Sequence, residues 1–203
     1  FRIPDVIVQG GARLREVGTT NITSVEDVRG AISDDTGALL RVHLSNFRIE
    51  GFASRPGTEE LAGLKSATVP LIEDLGSGNL LEHLGGRSIS EPTPARVIAD
   101  GADLVCFSGD KLLGGVQAGL IAGRRDLIAR LAGHPLMRAL RVDKFTYAAL
   151  QVVLRTYEQG RGSDMAPWRQ LGQGQDGLLG RVEAFIDAHG LPRADSGEGG
   201  DSD

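Results

Sequence analysis

Short apolar runs separated by helical patterns set the rhythm of roughly the first three quarters of the chain. The segments ARLREVGTT, SVEDVRGAI, TGALLRVHLS, GTEELAGLK and TVPLIEDLG follow one another at βαβ spacing, which predicts a parallel sheet covered by helices. Helix starts are marked physically. Ser24 followed three residues later by Asp27 can cap a first turn, and Pro94 fits the first turn of TPARVIADG, which Gly101 closes. The pattern resumes with the strands DLVCFSG and AGLIAG and the helix RRDLIARLAG, stopped by Gly133. Residues 143–158, DKFTYAALQVVLRTYE, place apolar groups at helical spacing and predict a long, partly buried helix.

After about Gly160 the character changes. QGRGSDMAPWRQLGQGQDG reads as a linker with Trp168 as a candidate anchor, and LLGRVEAFIDAHG predicts one more amphipathic helix. ADSGEGGDSD has no apolar content beyond its alanine and is predicted to be disordered. The composition, 203 residues with 40% hydrophobic and 24% charged, is that of an ordinary soluble domain or one domain plus part of another. A net charge of -5 argues against nucleic-acid binding by bulk electrostatics and leaves only a local basic patch for it. The single cysteine, Cys106, sits inside an apolar run, rules out a disulfide within this chain, and reads as a buried, inert thiol of a reducing compartment. No apolar run approaches the ~18 residues of a membrane span, so the expected location is cytoplasmic. The opening on Phe1 rather than methionine suggests an internal piece of a longer protein.

Ligands of parallel α/β sheets bind beyond the carboxyl ends of the strands, where loops deliver polar side chains. Three such loops stand out: His43-Leu44-Ser45-Asn46, Glu73-Asp74-Leu75-Gly76-Ser77-Gly78 and Ser108-Gly109-Asp110-Lys111. Together they would place a lysine, a carboxylate, an amide and a hydroxyl at one edge. Pyridoxal phosphate needs that set: an amine for its aldehyde, a carboxylate for its pyridine nitrogen, and donors for its phosphate and phenolic oxygen. Residue types alone also allow Asp74 as a turn cap and Lys111 as a solvated loop lysine.

The wording of the motifs goes further. FSGDKLLGG, QAGLIAG and RALRVDKFTYAAL resemble the bacterial selenocysteine synthases, L-seryl-tRNA(Sec) selenium transferases, which are pyridoxal-phosphate enzymes of the aspartate-aminotransferase fold type. FRIPDV, EVGTTN, VHLSNFRIEGF and EDLGSG look like that family's upstream blocks, in order, so the likeness runs from residue 1 to about 158, with an echo at APWRQL. The resemblance implies an α/β fold: residues 1–158 as the central part of a cofactor-binding large domain, 159–192 as linker and partial C-terminal domain, and 193–203 as a disordered tail. It implies Lys111 as the lysine that joins pyridoxal 5'-phosphate, Asp74 as the partner of the pyridine nitrogen, Ser108 as a phosphate ligand and Asn46 as a ligand of the phenolic oxygen. Arg138 and Arg141 match arginines that hold the phosphate of selenophosphate, the selenium donor. The implied partners are seryl-tRNA(Sec), selenophosphate and further copies of the chain in a homo-oligomer, without metal or membrane.

Departures accompany the likeness. Val116 stands in GGVQAG where the family usually has proline. The family's tRNA-binding domain and a glycine-containing phosphate loop are expected upstream of Phe1, so the isolated chain is expected to be an inactive fragment. Two other readings stay open: a related pyridoxal-phosphate lyase acting on a small amino acid or amino sugar, and a non-catalytic remnant. His43 can touch the cofactor or be a satisfied histidine at a strand end. Thr19, Thr20 and Asn21 can form a turn or a subunit contact, and Asp110 can orient Lys111 or balance its charge.

Overall fold

The computed structural model describes residues 3–18, 21–44 and 49–192, and strands and helices alternate as the pattern predicts from SVEDVRGAI to AGLIAG, whereas the described part of ARLREVGTT, residues 12–18, forms neither strand nor helix. Asn46, Thr19, Thr20 and the tail at 193–203 therefore lie outside the described residues. Two short helices, α1 (Ile3–Gln9) and α2 (Val25–Ala31), precede strand β1 (Leu39–Val42) and helix α3 (Thr58–Ala62). Strand β2 (Leu71–Gly76) leads into a small hairpin, β3 (His83–Leu84) and β4 (Arg87–Ser88), then helix α4 (Pro94–Ala99), strand β5 (Leu104–Ser108) and strand β6 (Gly119–Gly123). Helices α5 (Arg125–Ala132), α6 (Met137–Leu140), α7 (Lys144–Glu158), α8 (Ala166–Leu171) and α9 (Gly174–His189) follow. Among the described residues no helix is long and apolar enough to cross a membrane.

The caps explain the boundaries. Ser24 Oγ accepts the Asp27 N–H at 3.2 Å while the Asp27 carboxylate accepts the Ser24 N–H at 2.8 Å, the reciprocal box that the sequence predicts. Thr93 caps α4 with Pro94 in its first turn, and Asp143 accepts the N–H groups of Phe145 and Thr146 at the start of α7. The hairpin is absent from the sequence reading. Gly85 and Gly86 both have positive φ (57° and 79°), and that Gly-Gly pair is the local turn signal that marks it.

The main sheet runs β1-β2-β5-β6. The first three strands are parallel, and β6 pairs antiparallel with β5 because the segment between them is a loop without a crossover helix. The sheet is thus predominantly parallel, as expected. Its period-two alternation sends Leu71 and Leu75 of β2 and Val105 of β5 to the face that packs against Leu61 of α3 and Val97 of α4. On the opposite face, Val42, Asp74, Cys106 and Ile121 form one row across all four strands, and both ends of that row, Val42 and Ile121, are exposed.

Three polar groups fix the layers. Asp103, almost wholly buried at the amino end of β5, accepts from the Leu71 N–H at 2.9 Å, Lys65 Nζ at 3.2 Å and Arg124 at 3.1 Å, and these partners hold its carboxyl below the usual carboxylate range against the opposing effect of burial. Glu73 is fully buried, paired with Arg41 and bonded by Thr58 Oγ1 at 3.1 Å. Tyr157 of α7 joins the loop after β5 to α8: its hydroxyl donates to the Leu113 carbonyl at 3.0 Å and accepts the Trp168 Nε1–H at 2.8 Å. Trp168 is buried, and Leu113, Leu150 and Val153 form the surrounding apolar cluster. Replacing Tyr157 with phenylalanine removes both bonds and leaves a buried indole N–H without its partner, a loss of about 1–3 kcal/mol. The urea midpoint of the Tyr157→Phe variant is expected to fall accordingly; an unchanged midpoint would show that this clasp contributes nothing.

Candidate active site

The carboxyl ends of β1, β2 and β5 face the same way, so the residues that follow them gather at one edge of the sheet. A β-bulge interrupts the pairing of β2 just after Asp74: Asp74 pairs with Cys106, but the next residue of β5, Phe107, pairs with Gly76, in the left-handed region at φ 70°. The chain can then turn sharply toward β5. Leu112 N–H donates to the Ser77 carbonyl at 2.8 Å, sewing the two loops together. Gly78 makes this approach possible, because a Cβ there would lie 2.5 Å from the Ser108 carbonyl oxygen and its φ of 67° disfavours any other residue.

Between these loops lies a cavity of about 270 Å³, lined by Val42, His43, Asp74, Leu75, Gly76, Ser108 and Lys111. Three of the residues singled out from sequence for pyridoxal phosphate, Asp74, Ser108 and Lys111, therefore share one wall, and His43 joins them. Asp74 and Ser108 are half-buried, whereas Lys111 sits on an exposed turn with its neighbour Asp110. Among the described residues neither Asp110 nor Lys111 has an ion-pair partner. Arg138 and Arg141 lie elsewhere, exposed on α6 and at its end, and do not line the cavity.

His43, which the sequence left between cofactor contact and satisfied strand-end histidine, meets a carboxylate that the sequence reading did not single out. His43 donates its backbone N–H to the Asp74 carbonyl at 2.8 Å, and its Nε2 lies 3.1 Å from Glu91 Oε2. Glu91 comes from the loop before α4, and no local motif marks it. Glu91 Oε1 and Ser77 Oγ are buried without a hydrogen-bond partner among the described residues. Native interiors seldom leave such atoms unsatisfied. The amine, the carboxylate and the hydroxyl on the cavity wall fit a polar ligand that presents groups of both charge signs.

Cys106 neighbours Asp74 in register and is half-buried rather than fully buried as expected, because β5 and β6 leave that face of the sheet partly open. Burial pushes its thiol up, and the negative charge of Asp74 pushes it further the same way. The thiol is therefore protonated at neutral pH and weakly reactive, consistent with an inert role.

A family model described as "SelA: L-seryl-tRNA selenium transferase" matches residues 1–179. Among curated proteins, the L-seryl-tRNA(Sec) selenium transferase of Edwardsiella ictaluri (strain 93-146) is 55% identical over 160 residues, covering 78% of this chain and 35% of that protein. The protein of the same name from Serratia proteamaculans (strain 568) is 49% identical over 189 residues, covering 92% of this chain and 41% of the relative. That of Moorella thermoacetica is 54% identical over 158 residues, or 77% and 34% of the two chains. The chain thus spans about a third to two fifths of the length of these relatives. Among solved structures, a D-glucosaminate-6-phosphate ammonia-lyase superposes with a TM-score of 0.61 at 26% identity, covering 76% of this chain and 38% of that one.

The Cys106–Asp74 coupling has a direct readout. Asp74→Asn removes the charge that raises the thiol while keeping the burial, so the pH midpoint for iodoacetamide alkylation of Cys106 is expected to fall toward, without reaching, that of a free thiol. An unmoved midpoint would separate the two groups electrostatically.

Proposed function

The chain belongs to the L-seryl-tRNA selenium transferase family, and from that premise we propose that the cavity beyond β1, β2 and β5 is part of a pyridoxal-phosphate site for converting seryl-tRNA(Sec) to selenocysteinyl-tRNA(Sec) with selenophosphate. The observation that carries this reading is the meeting of Lys111, Asp74 and Ser108 on one cavity wall. A lyase acting on a small amino acid or amino sugar has weaker support, since the ammonia-lyase that superposes is 26% identical whereas the selenium transferases are near 50%.

When bound, pyridoxal phosphate supplies an aldehyde for amines and an electron sink for charge at the substrate's α-carbon. The protein's own residues divide the remaining work. Lys111 Nζ would be the amine that anchors the cofactor and, as a free amine beside the substrate, the base that takes the α-proton of the seryl group. Its exposure on a turn leaves that amine free to serve in both roles. The Asp74 carboxylate holds the proton of the pyridine nitrogen. Ser108 donates its hydroxyl to the phosphate, and Asn46 is assigned to the phenolic oxygen. Arg138 and Arg141 hold the phosphate of the selenium donor by charge-assisted hydrogen bonds, a role that requires α6 to face the donor in the assembled enzyme. Homo-oligomeric assembly in the cytoplasm belongs to the same reading.

Borohydride reduction of the purified protein with pyridoxal phosphate, followed by peptide mapping, is expected to place the pyridoxyl mass on Lys111 and to lose it in Lys111→Ala; labelling at another lysine overturns the assignment. In a full-length version of the protein, Asp74→Ala is expected to retain the label while selenocysteinyl-tRNA formation falls roughly 100-fold or more, the scale of a lost electrostatic partner in a reaction site. Replacing both Arg138 and Arg141 with alanine is expected to reduce selenium incorporation more than exchange of the α-proton of seryl-tRNA. Equal losses would assign the arginines to the fold or to tRNA instead.

A further inference from the structure

The His43–Glu91 pair joins the cavity wall to a loop distant in sequence. His43 lines the cavity together with Asp74, Ser108 and Lys111, and its backbone is tied to Asp74. Its imidazole and the Glu91 carboxylate are both about four-fifths buried, with 20% and 18% of their side chains exposed, and lie 3.1 Å apart. Glu91 is itself held in place: fully buried Asn79 donates Nδ2 to the Glu91 carbonyl at 2.6 Å, and its Oδ1 accepts the Leu81 N–H at 2.8 Å. The path from Gly76 through Asn79 and Glu91 to His43 begins and ends at the cavity.

This arrangement is poorly explained as packing. The other oxygen of Glu91 is buried with no partner among the described residues, so the carboxylate loses hydration for a single side-chain bond, that to His43. An apolar residue would fill the same space without that cost. What the carboxylate adds is orientation: an ionised acceptor on Nε2 requires the proton there and leaves Nδ1 of the neutral ring as an acceptor. Nδ1 has no partner among the described residues.

We propose that Glu91 is a positioning residue that fixes His43 as the Nε2–H tautomer in the cavity wall, so that Nδ1 accepts an N–H or O–H of the amino-acid part of the substrate. The substrate class rests on the function proposed above: a serine ester brings both an amine and a hydroxyl to this wall.

The test reads the imidazole directly, without turnover. In ¹⁵N-histidine protein, with His43 assigned among the four histidines by His43→Gln, the ring nitrogens are followed by long-range ¹H–¹⁵N correlation at a pH where the ring is neutral. The wild type is expected to show a single Nε2–H form, Glu91→Ala a mixture of tautomers, and Glu91→Gln, whose amide oxygen can still accept, the wild-type form. L-serine methyl ester, added with and without pyridoxal phosphate, is expected to shift Nδ1 in the wild type and to bind roughly tenfold more weakly to Glu91→Ala, the scale of one charge-assisted hydrogen bond. An Nδ1–H form in the wild type, an unchanged tautomer in Glu91→Ala, or an Nδ1 indifferent to the ester overturns the proposal. Should Glu91→Ala fail to fold, the wild-type tautomer, its response to the ester and retention of both by Glu91→Gln still decide it. Absence of cofactor on Lys111 would sink the pyridoxal-phosphate reading alone, since the imidazole signals are also read without cofactor.

Discussion

Leu112 N–H bonded to the Ser77 carbonyl at 2.8 Å holds the end of β2 against the end of β5, and the candidate site depends on that approach. Parallel pairing alone would bring Asp74 beside Cys106 and leave the following loops to diverge. The bulge at Gly76, the left-handed backbone of Gly78 and the missing Cβ opposite the Ser108 carbonyl turn the two loops toward each other instead. Asp74 and Lys111, far apart in sequence, consequently line one wall.

Holding the loop of Lys111 is a separate problem, solved from outside the sheet. Leu113 is completely buried against Leu150 and Val153 of α7, and Tyr157 takes the Leu113 carbonyl while Trp168 takes the tyrosine oxygen. Two residues earlier, Lys111 is exposed. The loop is therefore fixed at its apolar end and open at its polar end, where Lys111 lines the cavity. At the opposite edge of the sheet Asp103 gathers Leu71, Lys65 and Arg124, so the amino ends of the strands are occupied by structural polar contacts and the carboxyl ends remain for chemistry.

Local features were the legible ones. Ser24 with Asp27, Pro94, Gly133 and the apolar spacing of 143–158 each act within one or two turns of helix, and each has its counterpart in the structure. Asp74, Ser108 and Lys111 were readable because strand ends in a parallel sheet converge by topology. The His43–Glu91 contact was not, since it spans 48 positions and depends on how the hairpin returns the chain, for which neither residue carries a local signal. The antiparallel direction of β6 was likewise hidden: AGLIAG reads as a strand, but its direction follows from the preceding loop rather than its own residues.

Glu73 and Asp74 show how the same side-chain chemistry is put to two uses by one step along a strand. The pleat sends them to opposite faces. Glu73 enters the covered face, where Arg41 and the Thr58 hydroxyl satisfy it, and removing either charge of that pair would strand the other in an apolar setting. Asp74 points to the face where Val42 and Ile121 are exposed, and among the described residues it has no cationic side-chain partner of its own. A carboxylate held by the sheet backbone but not neutralised by the protein remains available to a cationic ligand, such as a protonated ring nitrogen. The pairing of Glu73 and the openness of Asp74 belong to one arrangement: because the covered face takes up Arg41, that guanidinium cannot neutralise the acid on the open face.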